Sequence, residues 1–296
     1  MDEQEIARRL FNPINNICGT SALNNDYDAL WGCLGAGCII NFVICLVVYF
    51  LSDPILSLFF GGLYEKIKAE RSYHALSMNI ETVTLINSTI TGGLVCFETY
   101  ILHTLSKNES VDGFELPARP SLWLATGTLV GYFIWHLCIT TYQRESVEKA
   151  MTETMGSSAY RVVRLYHICG IIFFPVSLRI GIGCYFVAMF IQSEITSVPL
   201  AFRTFGLRMG PPFDSSIWCN LATLTWIVSW VVFRLMPIPT MMNVLSTSNW
   251  SEYDVLTYSM SWLCYVPIIV NVWWTWFIVK GVYKRFCGGN IDKKKI

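Results

Sequence analysis

Tyr166 and His167 sit inside the run Leu165-Tyr-His-Ile-Cys-Gly-Ile-Ile-Phe-Phe-Pro175, whose other residues are apolar. A titratable ring in such surroundings is either packed there by interhelical hydrogen bonds or forms the centre of a site. Four more polar side chains sit in similar apolar runs: Glu81, His136, Glu194 and Asn220. At about 1.5 Å of rise per helical residue, His136, His167 and Glu194 each fall about five or six residues from the same end of their helices. Glu81 and Asn220 begin theirs near that level. An imidazole, a carboxylate and an amide around an apolar cavity are the groups that a lipid-headgroup or thioester site requires. His167 is the candidate base or nucleophile, with His136 or Glu194 to orient it.

The elements that must hold these groups follow from composition. Apolar residues make up 53% of the chain and charged residues 14%, and the mean hydropathy is positive. Together with several long uncharged runs, this describes an all-α polytopic membrane protein. The formal charge is zero, so there is no basic field for nucleic acid. Nine of the eleven cysteines lie in hydrophobic runs without a Cys-x-x-Cys pair and read as small apolar residues; no metal site or cofactor is expected. There is no phosphate-binding glycine loop, no Gly-x-Ser-x-Gly elbow and no internal repeat.

A bilayer core takes about 20 residues of apolar helix. Seven spans meet this requirement, at 31–51, 78–102, 121–142, 162–178, 180–199, 215–236 and 255–280. The fourth and fifth form one run interrupted by Arg179, and a helical hairpin is expected there because a single crossing of that length would be far too long. Residues 1–30 form a polar segment, 31–51 a leading helix, 64–285 a six-helix domain and 286–296 a basic tail. Basic residues accumulate on the cytosolic side of membrane proteins. A luminal N-terminus places fifteen of the 21 there, with Arg234 among the six left in the lumen. The same topology puts the sequons at Asn108 and Asn249 in luminal loops, while Asn87 falls inside a helix and is expected to be silent. His74 and His103 fall at loop edges and are given no role.

Tyr166-His167-Ile168, followed by Gln192-Ser-Glu-Ile-Thr-Ser-Val-Pro-Leu-Ala-Phe-Arg203, resembles the central block of the TLC-domain family. That family includes ceramide synthases, translocon-associated membrane proteins and small lipid-homeostasis proteins. Glu194 and Arg203 keep the family's spacing, and Thr196-Ser197 stand for its Ser-Thr pair. Gly131-Tyr-Phe-Ile-Trp-His136 resembles a Gly-Tyr start that usually leads to an aspartate. The chain departs from the pattern where Tyr166 replaces the first histidine of a His-His pair, His136 the aspartate and Val198 the proline.

The resemblance implies a TLC-like bundle in the endoplasmic reticulum that binds or senses lipid and influences phospholipid or sphingolipid composition. In this reading His136, Tyr166, Glu194, Arg203, Asn220 and Glu81 line the cavity, and Arg203 meets a phosphate at the cytosolic rim. One alternative is an N-acyltransferase acting through His167 with acyl-CoA as co-substrate; another is a translocon-associated or trafficking factor. Lys293 and Lys294 resemble the dilysine signal read by coat proteins on a cytosolic tail. The expected partners are therefore membrane lipids and those coat proteins.

Overall fold

The computed structural model describes residues 27–108, 120–180, 183–210, 213–253 and 255–286. The polar N-terminal segment up to residue 26 and the tail with Lys293 and Lys294 lie outside the described residues. All the regular structure among the described residues is helical. The chain begins with α1 (Tyr27–Phe60), the short α2 (Gly62–Glu70) and α3 (Ser72–Asn108), then α4 (Pro120–Tyr142), the amphipathic α5 (Arg144–Met155) and α6 (Ala159–Ile180). Next come α7 (Cys184–Gln192), a 3₁₀ turn (Ser193–Thr196), α8 (Ser197–Met209) and α9 (Ile217–Trp230). A π segment (Val231–Leu235), α10 (Pro237–Thr247), a 3₁₀ turn (Trp250–Glu252), α11 (Val255–Leu263) and α12 (Tyr265–Phe286) complete the order.

Five of the described helical stretches are long and apolar enough to cross a membrane: 28–60, 120–142, 159–179, 184–209 and 217–247. With α3 and the broken α11–α12 they make the seven segments anticipated from hydropathy. Helix α4 is the centre of the bundle, with 78% of its apolar window buried. The sixth segment is at the perimeter, with 6% buried, as expected where the outer face meets lipid. The core around α4 is aromatic and close-packed, with Trp123, Trp135, Phe133 and Leu129 fully buried.

The anticipated hairpin is present. Helix α6 ends at Ile180, and α7 starts after Gly183, whose φ of 70° lies in the left-handed region that glycine adopts without steric cost. A hydrogen bond of 2.9 Å joins the Tyr166 hydroxyl to Glu194 Oε1 across 28 residues. One continuous helix would hold them about 40 Å apart.

Two spans run further than hydropathy indicated. The fifth continues from the 3₁₀ turn through Arg203 and Arg208 to Met209. The sixth does not stop at Met236: the π segment wraps one extra residue into the turn, and α10 restarts on Pro237 at its first position, where the missing N–H costs nothing. Glu194 and Arg234 therefore lie mid-helix rather than near an end. Asn87 is buried in α3, within a polar cluster in which Asn41 Nδ2 donates to Asn87 Oδ1 at 2.8 Å and to the Thr128 carbonyl at 2.6 Å. Asn249 is exposed in the turn before the second 3₁₀ element, at the end of the bundle opposite α5. Asn108 is the last residue of α3 at that same end.

Candidate functional site: a polar cavity inside the bundle

One cavity, of about 170 Å³, extends between the helices from the α5 side toward the middle of the bundle. Its polar wall comes from Ser77, Glu81 and Thr84 on α3, Tyr132 and His136 on α4, Tyr166 and His167 on α6, Glu194 and Thr196 on the 3₁₀ turn, Ser197 and Arg208 on α8 and Arg234 on the π segment. Its apolar wall includes Val147 and Met151 of α5, Val163, Leu200, Val270 and Trp274. The structure thus brings together five of the seven residues read from the sequence: Glu81, His136, Tyr166, His167 and Glu194.

Asn220 and Arg203 do not join them. Asn220 is exposed on α9, bonded weakly to the Ser215 carbonyl at 3.5 Å. Arg203 is half-buried on another face of α8, with its guanidinium 5.2 Å from the Trp226 ring, so it is not the phosphate contact at the cavity rim. Spacing within one helix sets depth, but rotation about the axis decides which side chain faces inward.

The deep end is organised by a buried ion pair. Arg234 Nη2 lies 3.7 Å from Glu194 Oε1, with the side chains 13% and 7% exposed. Arg234 Nε donates to Thr196 Oγ1 at 2.9 Å, Nη1 donates to Asn271 Oδ1 at 3.2 Å, and the guanidinium stands over Trp230 at 4.7 Å. Tyr166 supplies a further donor to the same carboxylate oxygen. Charges persist at this depth only when paired and hydrogen-bonded, and this pair meets both conditions. Arg234 is a correction to the charge count, which had placed it in the lumen.

The middle of the cavity holds the two histidines. Their ring centroids are 4.4 Å apart with the planes at 82°, and His167 stacks on Phe133 at 4.5 Å. The rings are 4% and 5% exposed, and neither Nδ1 has a hydrogen-bond partner. The Tyr132 hydroxyl is shared with Thr84 Oγ1 at 2.9 Å. Among the described residues, no third histidine, cysteine or carboxylate joins the imidazoles in a group suited to a metal.

At the α5 end Arg208 spans three elements. Nη1 donates to His74 Nδ1 at 2.9 Å, and Nη2 donates to the Ala150 carbonyl of α5 at 2.8 Å. His74 Nε2 stands 3.5 Å from Glu153 Oε2, and Tyr73 donates to the same carboxylate at 3.1 Å. His74 is therefore buried and bonded rather than idle at a loop edge, and Arg208 was missed because it was counted as a flanking charge.

His74 lies on the first turn of α3, before the apolar stretch. Burial lowers its pKa below the ordinary 6.5, and the Arg208 charge lowers it further, against an opposing pull from Glu153. A depressed folded-state value means that the unfolded chain takes up the proton first as pH falls. The stability contribution is complete above about 6.5 and declines below it. Protonation also turns Nδ1 into a donor facing a donor. Amide hydrogen exchange across residues 144–155 is expected to quicken as pH falls from about 7.5 to about 5.5, after correction for intrinsic rates. His74→Gln keeps an acceptor for Arg208 but cannot titrate, and should abolish that pH dependence.

An all-α membrane bundle enclosing a half-polar cavity among its central helices is the class that fold and site define. The family model of the TLC domain matches residues 77–280, and the protein belongs to that family. Every cavity-lining residue falls inside the matched stretch. No curated protein sequence and no solved structure matches the chain significantly.

Proposed function

We propose that this TLC-domain protein binds a membrane lipid in the cavity between α3, α4, α6, α8 and α12 and thereby influences membrane lipid composition. The observation that carries the reading is the lining itself: apolar side chains on one part of the wall, hydrogen-bonding groups on the rest, both at membrane depth. Residence in the endoplasmic reticulum, with the α5 end and tail in the cytosol, is part of the proposal. It rests on Lys293 and Lys294, and on Lys66, Lys68, Arg71, Arg144 and Lys149, all of which belong to α2, α5 or the turn after α2.

One observation favours acyl transfer as a second reading. The chain lacks the sequential His-His pair, yet His136 and His167 stand side by side in space. A general base, however, needs a hydrogen-bonded partner that orients its ring. Neither Nδ1 has one, and Glu194 is engaged by Tyr166 and Arg234. Lipid binding accounts for more of the geometry.

The test is whole-cell lipid mass spectrometry in cells lacking the protein, rescued with wild type or His167→Ala at matched expression. Wild-type rescue of a lipid class, together with a lipid that copurifies in lowered amount with the mutant, is the expected result. Product formation in vitro that vanishes with His167→Ala would establish acyl transfer instead. A lipid profile unchanged by loss of the protein, with secretory cargo delayed, would shift the assignment to trafficking.

A further inference from the structure

Resting on that lipid-binding reading, we propose that the cavity selects an uncharged headgroup bearing an accepting oxygen, as in an ester, amide or hydroxyl, and discriminates against phosphate and carboxylate headgroups. The charged residues of the wall are Glu81, Glu194, Arg208 and Arg234, two of each sign. Both guanidinium groups are already engaged. Arg234 is held by Glu194, Thr196, Asn271 and the Trp230 face. Arg208 is held by the Ala150 carbonyl and His74, with Glu81 and Glu153 as its electrostatic partners. An anionic headgroup would add a charge with no unspent cation to meet it, in a place where uncompensated charge is heavily penalised.

Beside the hydroxyls of Ser77 and Ser197, the polar capacity of the wall that is buried and unspent belongs to the imidazoles. The Tyr132 hydroxyl is spent on Thr84 and the Tyr166 hydroxyl on Glu194. His136 and His167 are more than nine-tenths buried, and their Nδ1 atoms have no partner. Burying an unpaired N–H is less well tolerated than burying an unpaired acceptor, so each neutral ring keeps its proton on Nε2. Two adjacent rings on the cavity wall then offer donors, one from α4 and one from α6. A neutral oxygen acceptor completes them without disturbing either ion pair. Val163, Leu200, Val270 and Trp274 supply the apolar surface beside it.

The experiment uses the full chain in phosphatidylcholine nanodiscs with four photoactivatable probes: diacylglycerol and ceramide on the neutral arm, phosphatidic acid and phosphatidylserine on the anionic arm. Crosslinked peptides are mapped by mass spectrometry. The neutral probes should label peptides of α4, α6 and α12 about tenfold more than the anionic ones, the margin a single uncompensated charge would produce at the least. His136→Phe and His167→Phe, which keep the aromatic packing, should each lower neutral labelling about three- to tenfold. His136→Gln and His167→Gln, which retain an N–H, should lose less. Cavity labelling by the anionic probes at equal or greater yield would overturn the headgroup assignment and leave lipid binding standing. No labelling of the cavity by any probe, in protein that remains monodisperse, would overturn both.

Discussion

Arg234→Met is expected to destabilise the folded bundle by about 3–5 kcal/mol, because it removes one partner of a buried ion pair and strands the other. Glu194 would keep only the Tyr166 hydroxyl, and Thr196 and Asn271 would each lose a donor. With the side chains 13% and 7% exposed, little water is at hand to replace the guanidinium. The double variant Arg234→Met/Glu194→Gln should recover most of the loss, since a neutral amide in place of the carboxylate can still accept from Tyr166. Thermal unfolding followed by size-exclusion chromatography, arranged as a double-mutant cycle, measures the coupling. A loss in the double variant equal to the sum of the two single losses would mean that the pair is not coupled. Arg203→Ala provides the contrast: it gives up a half-buried cation–π contact with Trp226 and should cost about 1 kcal/mol.

The contrast between these arginines also shows what was legible in the sequence. Hydropathy located the five long apolar spans and the hairpin near Arg179; depth counting grouped Glu81, His136, His167, Glu194 and Asn220, of which all but Asn220 line the cavity, although Glu194 lies mid-helix and not near an end. Both arguments use distance along a helix, which the sequence supplies directly. Arg203, chosen for its spacing from Glu194, turned out to face Trp226. Arg208, five residues on and rotated about 140° at 100° per residue, is the arginine on the wall. Arg234 was hidden for a different reason. A charge followed by Met236 and Pro237 looks like the end of a span, yet the π segment and α10 carry the helix on to Thr247. The signal available was the pair of prolines at 237 and 239, placed where a restarting helix accepts them.

His74 was hidden by its position. At the first turn of a helix a histidine normally meets water, and its burial depends on α5 folding back over α3 through Glu153 and Lys149. That packing is tertiary, and no local pattern reports it. The leading helix is a related case. Residues 31–51 read as an appendage to a bundle beginning near residue 64, and the family match begins at residue 77. Yet α1 lies along the central helix in close backbone contact, and Asn41 bonds to both α3 and α4.

Gly127→Leu should therefore unfold or displace α1, at a cost of about 3 kcal/mol or more, the upper end for overpacking because the obstructing atoms are backbone. A Cβ at Gly127 would drive into the Leu34 carbonyl oxygen, and one at Gly131 into that of Cys38. On the facing helix, a Cβ at Gly37 would come within 2.6 Å of the Leu124 carbonyl oxygen. The four-residue spacing of Gly127 and Gly131 places both on one stripe of α4, the small-residue arrangement that lets membrane helices approach closely. Gly35→Ala, on α1 but with open space around its Cβ, and Gly93→Ala on α3 should be neutral or slightly stabilising. The consequence extends to the cavity, because α4 carries the glycine stripe on one face and Tyr132 and His136 on another. Displacing α4 by even about 1 Å would separate His136 from His167 beyond their present packing, so Gly127→Leu should lower both the thermal midpoint and lipid retention. If lipid retention persists in a Gly127→Leu protein that has lost thermal stability, α1 holds the bundle together without setting the position of the cavity wall.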